Sequence, residues 1–174
     1  MEGLELVKRA RDGSREAFIE LIRMHEPIMY SIAQGILRGS KADIIDAIQE
    51  SILLAYKGII QLREPAFFRT WLVRILINEC RKMLKHNRKV VPVELIYEKK
   101  SGEMESDMEL MDLLSGLDLE HKEIVILFYI EDIPIKEIAQ IVGLTESGVK
   151  SRLYRARFKL AMLLKEPDMK EELL

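Results

Sequence analysis

The chain holds a single cysteine, Cys80, so no disulfide can close within it, which fits a reducing compartment. Only 5 prolines and 9 glycines occur in 174 residues, too few for long irregular tracts. Aromatics make up 6 %, and the apolar residues are mostly Leu, Ile, Met and Ala, a bias that favours helix over sheet. The longest uncharged apolar run, 124–130, is far too short to cross a bilayer. The opening residues, MEGLELVKRARDG, begin with an acid and carry no apolar core of signal-peptide length, so a cytoplasmic location is expected. His25, His86 and His121 are scattered, without cysteine or carboxylate at ligand spacing, which argues against a metal site. There is no glycine-rich phosphate loop, no G-x-S-x-G and no plausible Ser/His/Asp set. Neither a cofactor nor catalytic residues are therefore expected, and the chain is read as non-enzymatic.

What is present is charge in blocks. The net charge of −2 says nothing for nucleic acid, but its distribution does. Residues 81–89, RKMLKHNRK, hold five Lys/Arg and no acid; residues 98–123 hold nine Asp/Glu against three Lys; residues 150–159 again hold five cations and no acid. Two cationic patches separated by an acidic stretch point to two separate contacts with a polyanion.

The second patch belongs to the most telling segment, PIKEIAQIVGLTESGVKSRLYRARFKL. Ile135, Ile138, Ala139 and Val142 recur at three- and four-residue spacing and give a short helix one apolar face. Gly143 suits a helix end in the left-handed conformation, and Thr145 stands where the next helix needs its N-cap. Val149, Leu153, Ala156, Leu160 and Leu163 then form an apolar stripe, with Lys150, Arg152, Arg155, Arg157 and Lys159 off it. This is the pattern of a helix-turn-helix whose second helix enters the DNA major groove. An ordinary hairpin with a solvated basic face is the plainer alternative, but no acid within 150–159 supplies the pairing such a face uses.

The remaining periodicity predicts an all-α chain. Helices are expected at about 2–11, 15–37 (with a disturbance at Pro27), 41–60 and 65–87, then 106–115 and 119–131 before the helix-turn-helix pair. Ser14 is a good N-cap, Gly39-Ser40 separates the second helix from the third, and Pro65 suits the start of the fourth. Weak periodicity from about 88 to 105, with Val-Val-Pro-Val and Lys-Lys-Ser-Gly, reads as a linker. Two small helical domains, 1–88 and 106–174, joined by 89–105, are thus expected.

In the first domain the fourth helix has an apolar face through Phe68, Leu72, Ile75, Leu76 and Met83 and a basic tail of Arg81, Lys82, Lys85, His86, Arg88 and Lys89. One or two cations would satisfy the helix macrodipole; five point to a phosphate backbone. Trp71 reads first as a core anchor and second as a base-stacking platform. The third helix carries Asp43, Asp46, Gln49 and Glu50 along one side and Ile48, Ile52 and Ala55 along another. Its acidic side is either a solvated face or a protein-docking face, and composition does not separate the two.

Taken in order, these motifs resemble the bacterial sigma factors of the extracytoplasmic-function group, over about residues 14–165. The D-x-x-D-x-x-Q-E pattern with its Ala-aromatic pair stands here as Asp43, Asp46, Gln49, Glu50, Ala55 and Tyr56. The resemblance implies docking of Asp43, Asp46, Gln49, Glu50 and Tyr56 onto the clamp helices of the RNA polymerase β′ subunit. F-R-T-W-L is present as Phe68, Arg69, Thr70, Trp71 and Leu72. By resemblance this helix and the loop 61–66 melt the −10 promoter element and capture a flipped base, which implicates Arg63, Trp71, Asn78, Arg81, Lys82, Lys85 and Arg88. The chain departs from the family in having Ile77 and Lys82 where Arg and Asp are common.

The C-terminal pattern is present as Glu137, Ile138, Ala139 and Gly143, then Val149, Lys150, Ser151, Arg152, Leu153, Arg155, Ala156 and Arg157, with Asp118 where a proline is common. It implies that the second helix reads the −35 element. Glu146, Ser147, Lys150, Ser151 and Arg155 are expected at base edges or the nearest phosphates, beside Thr145. Arg152 would serve either, and Arg157 and Lys159 the backbone at most. The implied partners are core RNA polymerase (β′ and β subunits), promoter DNA and an inhibitory anti-sigma factor, often membrane-anchored in the family. The competing reading is an autonomous helix-turn-helix regulator, which would need a ligand, phosphorylation or dimerisation domain; the first 88 residues resemble none of these.

Overall fold

In the computed structural model the backbone is described for residues 2–90 and 105–169, and side chains for 3–87 and 110–164. Every regular element among them is helical, in two compact units.

The first unit is built on four helices. α1 (Glu2–Arg11) buries Leu6, Val7 and Ala10 and packs on α2 (Arg15–Leu37). Ser14 caps α2 by accepting the Ala17 N–H at 3.2 Å, and the helix runs through Pro27 without interruption. It ends on Arg38, which takes the left-handed conformation (φ 47°) that the neighbouring glycine would adopt more readily. Ser40 and Asp43 then form a reciprocal capping box at the start of α3 (Lys41–Gly58): the Asp43 N–H donates to Ser40 Oγ at 3.2 Å and the Ser40 N–H to Asp43 Oδ2 at 3.3 Å.

α3 stops earlier than the apolar periodicity predicts, passing into a 3-10 turn, Ile59–Gln61. A second 3-10 turn, Pro65–Phe67, leads into α4 (Phe68–Val90), which extends beyond the expected end near 87. Proline suits that entry because its missing N–H is one a helix start leaves unpaired. The core is made by Leu21, Met29, Ile32 and Ile36 of α2, Ile44, Ala47 and Ala55 of α3, and Leu72, Leu76, Ile77 and Cys80 of α4. Ile75 and Met83, expected on the apolar face of α4, are only half-buried; Ile77 and Cys80 take their place. Trp71 is half-buried too, its ring centroid 6.0 Å from that of Phe68 and its edge over Gly58 of α3, where an added Cβ would lie 3.1 Å from Cζ2.

The second unit contains α5 (Glu105–Ser115), α6 (Leu119–Val125), most of α7 (Ile135–Val142) and α8 (Glu146–Met169). Leu114, Leu117, Ile124, Ile126, Leu127, Ile133, Ile138, Val149, Leu153 and Ala156 are buried. The expected helix over 119–131 is not one continuous α-helix: residues Ile126–Ile130 form a π turn, closed by the Glu131 N–H on the Ile126 carbonyl at 3.1 Å. The wider ring leaves Ile126 and Leu127 inside while Tyr129 faces out. Gly143, at φ 73°, makes the turn between α7 and α8, and Thr145 caps α8 by accepting the Gly148 N–H at 3.0 Å. Most of the expected linker, 91–104, lies outside the described residues.

Candidate nucleic-acid interface

On α8 the buried side, Val149, Leu153 and Ala156, has the three- and four-residue rhythm of a helix seated on a core. Opposite it, Thr145, Glu146, Ser147, Lys150, Ser151 and Arg155 are all exposed. Leu160 and Leu163, expected to continue the stripe, are half-buried. Among the described residues neither Lys150 nor Arg155 has a charged partner.

The other three cations of 150–159 are engaged. Arg152 pairs with Glu120 at 3.2 Å. Arg157 donates from Nε to the Tyr129 hydroxyl at 2.5 Å, its guanidinium 5.8 Å from that ring's centroid. Lys159 pairs with Asp118 at 2.5 Å. The expectation that this basic segment lacks opposite-sign pairing is thus corrected. The acids come from the start of α6, beyond the reach of any spacing rule within one helix.

Asp118 is the centre of that arrangement. It caps α6 by accepting the His121 N–H at 3.2 Å, contacts His121 Nδ1, and receives Lys159. The Lys159 ammonium, foremost, and the His121 contacts hold its carboxyl well below the usual carboxylate range, against a smaller opposing effect of burial. A depressed folded value stabilises the fold above the unfolded pKa of about 3.9, and that contribution is lost as pH falls toward the folded value. Asp118→Asn should therefore lower the urea midpoint of the full chain at pH 7, with the gap to wild type closing below about pH 4. The side chain is 52 % exposed, so solvent screening keeps the effect near that of surface pairs, about 0–1 kcal/mol.

In the first unit the docking residues expected on α3 do not share one face. Asp43, Asp46 and Glu50 line a groove with Ala47 of α3 and Glu79, Lys82 and His86 of α4. Gln49 and Tyr56 line a different groove, with Phe18 and Ile19 of α2 and Ile52 and Leu53 of α3. The 100° step of a helix explains the division: Asp46 and Glu50 are four apart, Gln49 and Tyr56 seven, while Gln49 and Glu50 straddle the ridge. One groove is acidic with a basic margin and the other largely apolar, with Tyr56 stacked edge-on against Phe18 at 5.1 Å.

The basic tail of α4 divides as well. Asn78, Arg81 and Lys82 meet Leu54 and Ile75 in one shallow groove. Lys85 is exposed, the Arg88 side chain lies outside the described residues, and Trp71 lies two turns back from that groove. Lys82 is bound to Glu79 at 2.6 Å, and that carboxylate is only 10 % exposed. Composition gave no sign of this buried acid, because its partner is read as part of a DNA-facing patch. Arg63 is exposed on the loop between the two 3-10 turns.

Comparison with known proteins accords with these features. The Sigma-70 region 2 profile matches residues 21–90, and the Sigma-70 region 4 profile matches 107–160. The chain is 31 % identical over 164 residues to the ECF RNA polymerase sigma factor SigM of Mycobacterium tuberculosis, covering 92 % of this chain and 83 % of that one. Its fold is similar to that of CnrH, an RNA polymerase sigma factor of Cupriavidus metallidurans solved in complex with the cytosolic domain of CnrY. The TM-score is 0.75, at 25 % identity, over 94 % of this chain and 97 % of the other. It is also similar to the sigma factor RpoE of Bartonella quintana bound to the anti-sigma factor NepR, with a TM-score of 0.69 at 25 % identity, over 85 % and 96 % of the two chains. With both region profiles matched in order and a relative of this identity aligned along nearly its whole length, the chain belongs to the sigma-70 family, as an RNA polymerase sigma factor of the extracytoplasmic-function group.

Proposed function

We propose that this sigma factor holds core RNA polymerase through α3, opens promoter DNA at the −10 element through the loop 61–66 and α4, and reads the −35 element through α8. The division of labour follows the division of the chain: 1–88 docks and melts, 106–174 reads duplex, and 89–105 connects them. The observation that carries the reading is the two-sided character of α8. Its core side is closed, while Thr145, Glu146, Ser147, Lys150, Ser151 and Arg155 form one solvent-facing row starting at the helix N-terminus, where a major-groove helix makes its base contacts. In that row lysine and arginine match guanine edges, glutamate matches the cytosine amino group, and serine matches either kind of base edge. Arg152 and Arg157, tied to Glu120 and Tyr129, sit at the flank, where the backbone passes.

On α3, Asp43, Asp46, Gln49, Glu50 and Tyr56 are assigned to the β′ clamp helices. Asp46, Gln49, Glu50 and Tyr56 are exposed, and the apolar groove beside Tyr56 adds area a protein partner buries and DNA does not. Contact with the β subunit completes attachment to the polymerase. At the −10 element Arg63, Trp71, Asn78, Arg81, Lys82, Lys85 and Arg88 are assigned to the opened strand. Opening proceeds by trapping an unstacked base, which costs a few kcal/mol and needs no nucleotide hydrolysis; the protein is accordingly a non-enzymatic subunit. A cytoplasmic location follows from that role, and no helix among the described residues is long and apolar enough to cross a membrane. The RpoE–NepR complex supports an anti-sigma partner here as well.

Lys85 tests the melting assignment more cleanly than Lys82, whose loss would also strand the buried Glu79 carboxylate. Lys85→Ala should weaken open-complex formation, measured by permanganate footprinting with core polymerase, and reduce the salt slope by about one. Undiminished melting with an unchanged slope would make this end of α4 a solvated helix terminus.

A further inference from the structure

We propose that Arg11, at the end of α1, is a positioning residue that fixes the shape of the −10-reading loop. The proposal rests on the assignment of that loop to the −10 element. α1 lies ahead of the segment matched by the region 2 profile, which begins at residue 21. Yet α1 packs on both 3-10 turns that bracket the loop. Between the turns Leu62 (φ −68°, ψ 107°) and Glu64 (φ −112°, ψ 105°) are extended on either side of a bend at Arg63. The local backbone bonds close the turns themselves: the Leu62 N–H donates to the Ile59 carbonyl at 3.0 Å, and the Phe67 N–H to the Glu64 carbonyl at 3.0 Å. The carbonyls of Leu62 and Arg63 accept instead from Arg11 Nη1, at 3.4 and 3.3 Å, across more than fifty residues of sequence.

A loop that receives an extruded base must hold its backbone in place before the base arrives, or the ordering cost is taken from binding. Leu62 is buried and anchors one side of the loop; Arg11 clips the carbonyls on the other, leaving the Arg63 side chain exposed. The planar guanidinium suits the task. It offers several donors in fixed geometry, whereas a lysine ammonium is a point charge on a flexible stem. Because Arg11 acts through the loop backbone, its loss should change which bases are preferred, beyond any general loss of DNA affinity.

The test uses the full chain with core polymerase and a promoter library randomised across the −10 element, transcribed by wild type, Arg11→Lys, Arg11→Gln, and the loop variants Gln61→Ala and Arg63→Ala. Both Arg11 variants should reduce base discrimination at the −10 positions by about three- to tenfold, with −35 preferences and salt slope unchanged. Amide exchange over 62–67 should be faster in Arg11→Gln. If Arg11→Lys behaves as wild type while Arg11→Gln weakens all sequences alike, Arg11 is a phosphate contact and the proposal is overturned. If the loop variants shift base preference and the Arg11 variants do not, the loop reads DNA without this clip, and the proposal again falls. If neither loop variant alters −10 preference, the loop assignment itself fails and takes the proposal with it.

Discussion

Reversing Asp46 and Glu50 to lysine together is expected to abolish binding to core RNA polymerase while leaving the chain folded. Both side chains are exposed, and neither caps a helix, unlike Asp43, whose carboxylate closes the capping box with Ser40. The reversal therefore removes two negative charges and adds two positive ones on a surface where folding draws little from either. Against a partner face complementary to acid, four units of altered charge at contact cost several kcal/mol, enough to take a tight complex below detection. A pull-down of core polymerase with the double variant, beside circular dichroism for helix content, measures both halves. Full-strength binding by a folded variant would remove α3 from the docking surface. Asp43→Lys is the uninformative choice, since it would also remove a cap worth about 1 kcal/mol.

The second large effect is expected on α8. Lys150→Ala and Arg155→Ala should each cost about 1–3 kcal/mol at particular −35 positions and little at others, because both cations are exposed, unpaired among the described residues, and on the row that starts at Thr145. Lys159→Ala should instead weaken all promoters slightly and alike. Its ammonium is committed to Asp118, and its removal loosens the junction of α8 with α6 rather than a base contact. A saturation library of the −35 element, transcribed with each variant, separates the two patterns. Uniform losses for all three, with no change in preferred bases, would mean that this helix does not read sequence through Lys150 or Arg155.

Much of the fold is legible in the chain because helices are local. Caps at Ser14, Ser40 and Thr145, the glycine turn at Gly143 and the apolar rhythm of each segment act within about four residues, and α1, α2, α5, α7 and the start of α8 stand within a residue or so of where spacing places them. Departures occur where packing overrides rhythm. Gly58 passes beneath the Trp71 ring and α3 gives way to a 3-10 turn; the buried run 124–127 continues into a π turn.

The residues assigned to DNA and polymerase are nameable from their types and order, since a major-groove helix needs a polar row opposite an apolar one and the residues themselves display both. Which of those charges remain available was not. Arg152 and Glu120 are 32 positions apart, Lys159 and Asp118 are 41, and Arg11 reaches carbonyls more than 50 residues on. Pairings at such separations depend on how helices cross. Crossing geometry is set by the shapes of many buried side chains at once, whereas composition and spacing report only on neighbours along one helix. The sequence by itself determined the helices, their capped ends and the polar row of α8. Tertiary structure alone decided which residues of α2 and α4 stand beside each side of α3, that three of the five cations over 150–159 are tied back into their own unit, and that Arg11 of α1 donates to the carbonyls of Leu62 and Arg63.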